Sequence, residues 1–202
     1  MEMKTIKRIC LTFDDGPSEY TEKLLDGLAE RNAKASFFLL GKKAEQYRDT
    51  VLRIKEEGHT IGQHTQNHKD LTQISIQETR EEIRSANEAI MQITGERPVF
   101  IRPPYGEYSD EVVLDTDMVF VRWSYSSKDW QFQYPVFICK RIVYNAFDGA
   151  IVLAHDTYST TVEGVLMAVD ELMRQGYLLV SLEEMIKYRG YEPMIRRVYS
   201  RF

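Results

Sequence analysis

The chain has 202 residues, of which 43% are hydrophobic and 28% charged, and its formal net charge is −5. This length suits one well-packed domain and is short for two, so we expect a single domain over residues 1–202 with its core at about 7–188. The acidic balance gives no reason to expect a nucleic-acid or anionic-membrane partner, and no apolar run approaches the roughly 18 residues of a membrane span.

In the first half of the chain, short apolar stretches alternate with amphipathic ones. Gly58 and Gly95 suit helix ends, and Ser75–Glu78 has the form of a capping box. The predicted strands are residues 7–13, 35–40, 60–62 and 99–101. The predicted helices are residues 19–31, 44–57 and 76–95.

The second half continues the alternation. The predicted elements are a helix near 109–115, a strand at 118–123, a helix at 135–146, a strand at 150–154, a helix at 161–174 and a strand at 177–180. A second capping box, Ser181–Glu184, opens a last helix. The basic tail, residues 196–202, is expected to be a solvated end.

About seven β-α alternations predict a parallel sheet covered by helices. A doubly wound sheet and a β/α barrel both fit that pattern. Polar residues directly follow several predicted strands, and the ends of barrel strands converge on one mouth. The sequence therefore favours an α/β barrel.

Two adjacent carboxylates, Asp14 and Asp15, end the first predicted strand. Asp also caps helices well, and Gly-Pro follows, so a capping role is the plain alternative. His64 and His68 stand four residues apart, a spacing at which two imidazoles can meet on a helix face or in a turn. One carboxylate with two imidazoles is a plausible three-ligand set for a divalent metal, which leaves the second carboxylate free to act as a base.

Three further segments carry chemistry at predicted strand ends. Arg102 precedes two prolines, which make a stiff turn suited to bidentate pairing with a carboxylate. Trp123 and the segment that ends in Asp129 and Trp130 form either an aromatic plug or a stacking surface for sugar rings. His155 ends an apolar strand and is a candidate general acid, or else one half of a helix-capping pair.

Together and in this order, these segments resemble the motifs of the polysaccharide deacetylase family, the NodB-homology or carbohydrate esterase family 4 enzymes. The matching segments are Thr12–Pro17, His64–His68, Arg102–Tyr105 and Leu153–His155. The fourth motif, Asp-x-x-Asp-Trp, is met in part, because Ser126 stands where the first Asp is usual. Serine cannot carry charge, which leaves a charge-tuning role at that position open. The resemblance runs from Thr12 to at least Val180.

The resemblance implies a distorted (β/α)7 TIM-like barrel and a role for each matched residue. One divalent metal, Zn²⁺ first with Co²⁺ or Mn²⁺ as alternatives, would be bound by Asp15, His64 and His68. The expected catalytic residues are Asp14 as general base, Arg102 as its partner, His155 as general acid and Asp129 as the residue that orients it. The expected substrate contacts are the Tyr105 N–H to the oxyanion, and Trp130 and Leu153 around the acetyl methyl group.

The implied activity is hydrolysis of acetyl groups on N-acetylglucosamine units of peptidoglycan, chitin or a chitooligosaccharide. The alternatives are an O-deacetylase of acetylated xylan and a catalytically silent glycan-binding barrel. A non-haem iron oxygenase would also use two histidines and a carboxylate, but its usual β fold disagrees with the helix-rich pattern.

The implied partner is a glycan, with no nucleic acid, and a monomer is expected. The family suggests an extracellular or cell-wall location. Met1–Lys4 has no apolar signal region, so a cytoplasmic location stays open. Cys10 and Cys139 are expected to be free thiols.

Overall fold

The structure, a computed structural model, describes residues 6–202. The prediction for Met1–Lys4 lies outside these residues. The strands are β1 (Lys7–Asp14), β2 (Ser36–Leu39), β3 (Thr60–Gln63), β4 (Phe100–Ile101), β5 (Val119–Val121), β6 (Tyr125–Ser126), β7 (Ala150–His155), β8 (Tyr177–Leu179) and β9 (Val198–Tyr199). The helices are α1 (Thr21–Glu30), α2 (Gly41–Gln46), α3 (Arg48–Glu56), α4 (Ile76–Thr94), α5 (Asp110–Asp115), α6 (Pro135–Tyr144), α7 (Ser159–Arg174) and α8 (Leu182–Arg189).

The strands form one curled sheet in the order β6-β7-β1-β2-β3-β4-β5-β9, and β8 pairs with the first part of β1. In a flat sheet, β5 and β6 would lie six strand spacings apart, about 29 Å. Yet β5 ends at Val121 and β6 begins at Tyr125, a reach of at most about 14 Å. The sheet must therefore curl back on itself, which confirms the predicted barrel-like fold over the open sheet.

The alternation of side chains in β1 directs the residues of this strand into two hydrophobic clusters, an outer and an inner one. Ile9 and Leu11 belong to the outer cluster, which includes residues of the covering helices α1 and α7. Cys10 belongs to the inner cluster with Phe38 and with Met185 of α8. Since side chains two residues apart share a face, Asp14 lies on the same face of β1 as Cys10. The strand pattern thus directs the first carboxylate into the curled sheet.

The helix predicted over 44–57 and the strand predicted over 118–123 differ from the observed elements. The single helix expected over 44–57 is two helices, because Tyr47 leaves the helical conformation with φ −117° and ψ 48°. The strand expected over 118–123 is shorter and ends at Val121. This strand, β5, pairs with β4, whereas the next strand, β6, pairs with β7. Both capping boxes are confirmed, at Ser75 with Glu78 and at Ser181 with Glu184.

The expectation of a solvated tail is wrong. Residues 198–199 form β9, which pairs in parallel with β5, and Arg201 bridges to Ala150. The Tyr199 and Phe202 rings stack with their centroids 5.0 Å apart and pack against the inner cluster. The positive charge of the tail hid this apolar content.

Cys10 and Cys139 are free thiols, as expected. None of the helices within residues 6–202 is both long enough and apolar enough to cross a membrane.

Candidate active site

Parallel register brings the polar strand ends level with one another. Asp14 at the end of β1 pairs with His155 at the end of β7. Gln63 of β3 pairs with Ile101 of β4, so that His64 and Arg102, the residues that follow them, are also neighbours. Asp14, His64 and His155, at three of these strand ends, border one cavity of about 420 Å³. Convergence at the carboxyl ends of the strands is what the sequence predicted.

Asp15, His64 and His68 come together at this cavity. The Oδ1 atom of Asp15 lies 3.4 Å from Nε2 of His64 and 3.2 Å from Nε2 of His68. All three atoms lie within 4.8 Å of one another. Among residues 6–202, Asp15 Oδ1 is buried without a hydrogen-bond partner. A divalent cation would supply that partner, and one carboxylate oxygen with two imidazole nitrogens is a donor set such cations accept, so the residues fit a metal.

Contacts around His64 and His68 fix the positions of their rings for binding a metal. Nδ1 of His64 lies 2.5 Å from the carbonyl oxygen of Arg102. Because a carbonyl only accepts, Nδ1 carries a proton, which leaves Nε2, the nitrogen that faces Asp15, as the one that can ligate. The backbone N–H of His68 donates to Oγ1 of Thr65, and its ring meets that of Tyr105 edge to face, with centroids 4.8 Å apart. The pair converges in a turn, since β3 ends at Gln63.

The pKa shifts of two of these residues favour the unprotonated forms that bind metals. Burial alone would raise the pKa of Asp15, but the neighbouring imidazoles, His64 before His155 and His68, outweigh burial and lower that pKa well below its usual range. Burial lowers the pKa of His68. A neutral imidazole and an ionised carboxylate are the ligand forms that a divalent cation needs.

Asp14 is paired with a buried arginine, while its other oxygen, Oδ2, lies 3.9 Å from Nε2 of His64. Arg102 is fully buried, and one of its amino groups, Nη1, donates to Oδ1 of Asp14 at 2.7 Å and to Oγ1 of Thr12 at 2.7 Å. Its Nε and Nη2 donate to the carbonyls of Val121 and Arg122. The predicted pairing is therefore present, but through one nitrogen, because backbone carbonyls occupy the rest of the guanidinium.

His155 and Asp129 form a second charged pair on the cavity. Nδ1 of His155 lies 2.9 Å from Oδ1 of Asp129, which is fully buried, and the His155 N–H donates to Oδ2 of Asp129 at 2.7 Å. Burial would lower the pKa of His155, but the hydrogen bond and charge of Asp129 outweigh it and raise that pKa to about 9. His155 is thus protonated at neutral pH.

The three predicted substrate-contacting residues all border the cavity. Leu153 is 6% exposed and lies in the wall, whereas Trp130 is 53% exposed and lies partly on the surface. Tyr105 is exposed and has a left-handed backbone with φ 61°. Ser126, the departure from the fourth motif, also borders the cavity, so the position where a carboxylate is usual carries only a hydroxyl here.

Sequence reasoning missed several residues that support the site. Ser127 Oγ and Thr161 Oγ1 each donate to the Asp129 carboxylate, at 3.0 and 2.9 Å. Lys128 borders the cavity. No sequence signal could have found Thr161, because it lies 32 residues from its partner and belongs to no motif.

Asp156 ties the loop after β1 to the end of β7. It does not cap α7, whose N-cap is Tyr158. Its Oδ2 accepts from Thr21 Oγ1 at 2.5 Å, and burial raises its pKa to about 6 against the lowering effect of that hydrogen bond. A Cβ at Gly16 would lie 2.3 Å from Oδ1 of Asp156, so only glycine allows this approach.

Left-handed backbone conformations concentrate at the site. Seven non-glycine residues have positive φ within the described range, and five of them lie at or beside the cavity: Asp15, Thr65, His68, Tyr105 and Lys128. Such conformations cost about 1–3 kcal/mol each and cluster where side chains must be aimed for function.

The capping alternative for the two carboxylates fails, because the N-cap of α1 is Tyr20.

Comparison with known proteins agrees with this geometry. The sequence model of the polysaccharide deacetylase family matches residues 2–119. A curated relative, the peptidoglycan-N-acetylglucosamine deacetylase PgdA of Listeria monocytogenes, is 39% identical over 183 residues, or 90% of this chain. The chain spans 39% of the length of that relative.

Two solved structures extend the comparison to the fold. A T48 deacetylase with substrate superposes with a TM-score of 0.93 at 36% identity, over 97% of this chain and 98% of that one. A family 4 acetyl xylan esterase from Clostridium thermocellum, in complex with a cobalt ion, superposes with a TM-score of 0.91 at 29% identity, over 96% and 98%. This chain belongs to the polysaccharide deacetylase family.

Proposed function

We propose that this chain hydrolyses the acetamido group of N-acetylglucosamine units in a glycan of the peptidoglycan or chitin type. The observation that carries the proposal is the meeting of three groups at one cavity: a metal-binding set, a buried Asp-Arg pair and a His-Asp pair. The name of the Listeria relative supports peptidoglycan as the source of the substrate, and with it an extracellular or cell-wall location.

Asp15, His64 and His68 would hold one divalent cation, for which we propose Zn²⁺, with Co²⁺ or Mn²⁺ as alternatives. When bound, such a cation supplies a Lewis acid that polarises the acetyl carbonyl and lowers the pKa of water beside it. The cobalt ion in the structure of the esterase relative supports a divalent cation in a protein of this fold. The remaining chemistry falls to the side chains.

Asp14 would act as the general base. Its carboxylate borders the cavity, and Oδ1 accepts from Arg102 at 2.7 Å, which leaves Oδ2 for the attacking water. The water oxygen bonds to the acetyl carbon while its proton passes to Asp14. A positioned base of this kind is worth about 10²–10⁴ in rate. The backbone N–H of Tyr105 would donate to the carbonyl oxygen as negative charge develops there.

His155 would act as the general acid. Its raised pKa, about 9, keeps the imidazolium available at neutral pH. The C–N bond breaks as His155 gives its proton to the departing nitrogen, so the sugar keeps an amine and acetate leaves. Asp129 holds the ring through Nδ1 and would stabilise the charged form. An amide needs this step because an unprotonated amine anion is a very poor leaving group.

The second candidate is removal of O-acetyl groups from xylan, and the likeness to the acetyl xylan esterase favours it. The same residues serve an ester, whose leaving alkoxide needs less help from His155. A catalytically silent glycan-binding barrel is disfavoured. Such a protein would need neither a buried carboxylate base nor a histidine whose pKa is raised, and it would not need both beside a complete set of metal ligands.

The test is metal analysis with acetate release from N-acetylglucosamine oligomers, peptidoglycan and acetylated xylan. We expect one divalent cation per chain and release from the N-acetyl substrates. Release from acetylated xylan alone would transfer the proposal to the O-acetyl reaction. A metal-loaded chain that releases acetate from none of the three would overturn both.

A further inference from the structure

A strained turn joins the two proposed histidine ligands. Residues 64–68 run from one histidine to the other, and we call them the histidine turn. Two of them, Thr65 and His68, have a left-handed backbone, with φ 67° and 63°. Residues other than glycine keep this conformation only where the surrounding structure holds them in it. The histidine turn therefore needs contacts with neighbouring elements to keep its shape.

Glu82 of α4 makes three hydrogen bonds to the histidine turn. Its Oε2 accepts from the backbone N–H of Asn67 at 2.7 Å, and its Oε1 accepts from the side-chain amide of Asn67 at 2.9 Å. Its carbonyl oxygen accepts from the backbone N–H of Gln66 at 3.1 Å. Both oxygens of the carboxylate thus bind the residue that directly precedes His68.

The burial of Glu82 shows that these bonds have a cost. Glu82 is 4% exposed, and a buried carboxylate is unfavourable unless hydrogen bonds or a cation compensate for its lost hydration. Its ion pair with Lys69 is long, at 3.6 Å, and the Lys69 side chain is 46% exposed, so the pair contributes little. An apolar side chain could fill the same place in α4 without this cost. Packing alone therefore does not explain a carboxylate here.

Other hydrogen bonds hold the middle of the histidine turn. Two backbone N–H groups at the start of α2 donate to the carbonyls of Thr65 and Gln66, at 3.0 and 3.3 Å. The carboxylate of Glu82 instead reaches Asn67. The end of the turn that carries His68 is therefore held from α4.

His68 depends on the turn more than His64 does. The His64 ring is fixed through Nδ1 by the carbonyl of Arg102, and 3% of its side chain is exposed. The His68 side chain is 24% exposed. Its position relative to Asp15 is therefore sensitive to the backbone that precedes it.

We infer that Glu82 is a positioning residue for the proposed metal set, because it holds His68 where Nε2 can bind the same cation as the other two ligands. In this role Glu82 contacts neither the cation nor the substrate and acts through Asn67. The inference rests on the proposed function, which takes as ligands Asp15, His64 and His68. It extends the site to α4, a helix that carries none of the motif residues.

The experiment measures zinc affinity by competition with a chelator, starting from the metal-free chain, and measures the urea unfolding of each metal-free protein in parallel. The variants are Glu82→Ala, Glu82→Gln and Asn67→Ala, and Asn67 is exposed, so its truncation is tolerated. Glu78→Ala is the matched control. Glu78 lies one turn earlier in α4 and accepts two hydrogen bonds, both from Ser75 and neither from the histidine turn.

Glu82→Ala should weaken zinc binding by about 10–100-fold, the usual loss when a residue that orients a metal ligand is removed. Glu82→Gln should lose less, because its amide oxygen can still accept from one N–H of Asn67 whereas its amide nitrogen cannot accept. Asn67→Ala should also lose less, since the backbone N–H remains. Glu78→Ala should keep the wild-type affinity while its free energy of unfolding falls.

A double-mutant cycle connects the effect to His68. His68→Ala removes the ligand that Glu82 is inferred to hold, so adding Glu82→Ala to it should cause little further loss of zinc affinity. Cobalt loading gives a spectroscopic measurement of the same point. The visible absorption spectrum of cobalt-loaded Glu82→Ala should move toward that of His68→Ala, because both changes alter the ligands around the ion.

Wild-type zinc affinity in Glu82→Ala, together with a lower free energy of unfolding, would show that Glu82 serves the fold alone. Equal losses from Glu82→Ala in the presence and absence of His68 would also overturn the inference. If Glu82→Ala does not fold, Glu82→Gln and Asn67→Ala decide, and wild-type affinity in both would overturn it. These results leave the proposed function in place, whereas a wild-type chain that binds no divalent cation would overturn both.

Discussion

Two neighbouring carboxylates have different partners, and the difference supports the different roles that we propose for them. Asp15 faces two imidazole nitrogens, at 3.4 and 3.2 Å, whereas Asp14 faces the guanidinium of Arg102 at 2.7 Å. Side chains of adjacent strand residues point to opposite faces, but Asp15 has left-handed φ of 69°, which breaks that alternation at the strand end. Both carboxylates can therefore border one cavity.

Asp14→Asn should abolish turnover and keep the metal. Asparagine can still accept a hydrogen bond from Arg102, but it cannot take a proton from water, so kcat should fall by about 10²–10⁴. Metal content should stay at one cation per chain, because the proposed ligands are unchanged. Acetate release and elemental analysis of the same preparation provide the measurement. Release at a rate near wild type would remove Asp14 from the role of base.

Asp129→Asn should move the alkaline limb of the pH–rate profile to lower pH. His155 acts as an acid only while protonated, so activity falls as pH rises through its pKa, which Asp129 raises to about 9. Removing the carboxylate charge lets that pKa fall toward the ordinary value of about 6.5. The measurement is kcat/KM against pH for both proteins.

Ser127→Ala is the matched control for this shift. It removes one hydrogen bond to Asp129 Oδ1 and leaves the carboxylate charge in place. Its alkaline limb should stay close to that of the wild type. An Asp129→Asn profile that coincides with the wild-type profile would show that the limb reports a group other than His155.

The residues proposed to take part in the reaction could be predicted from the sequence, whereas the residues that support them could not. Asp14, His64, Arg102 and His155 stand in recognisable motifs at predicted strand ends. The residues that aim them do not: Thr161 reaches Asp129 from α7, and the left-handed φ of Lys128 leaves no trace in the residue type. Such contacts depend on how the elements pack.

At the scale of elements, buried strands and capped helices follow closely from local pattern. The two capping boxes predicted both helix starts, at Ser75 and Ser181. The break at Tyr47 and the transition from β5 to β6 were not predictable, because the apolar spacing continues through both and only tertiary pairing interrupts it.

The tail makes the clearest case of tertiary context outweighing composition. Tyr199→Ala should lower the free energy of unfolding by about 1–3 kcal/mol, because the ring stacks on Phe202 and packs against the inner cluster. Tyr144→Ala should change it by less than about 0.5 kcal/mol, since that ring is 90% exposed. Urea unfolding of both variants provides the measurement. Equal free energies of unfolding for the two variants would indicate that the tail is a solvated end after all.

At the scale of the whole molecule, the proposed metal set joins parts of the chain that are distant in sequence. Asp15 follows β1, whereas His64 and His68 lie about fifty residues later in the loop after β3. A ligand that binds only the folded chain stabilises it by mass action. Metal binding should therefore raise the free energy of unfolding of the whole chain, and this rise can be measured without any assay of turnover.

Zinc should raise the melting temperature of the chelator-treated chain, and His68→Ala should remove that rise. At a free concentration one hundred times Kd, binding adds about 2.7 kcal/mol to the free energy of unfolding, which for a chain of this size corresponds to roughly 5–10 °C. Asp14→Asn should keep the rise, because it alters the proposed base and leaves the three ligands intact. Calorimetric scans of the three proteins with and without zinc provide the measurement. A rise of equal size in His68→Ala and the wild type would show that the stabilising cation binds elsewhere, and the assignment of Asp15, His64 and His68 as the metal set would have to be given up.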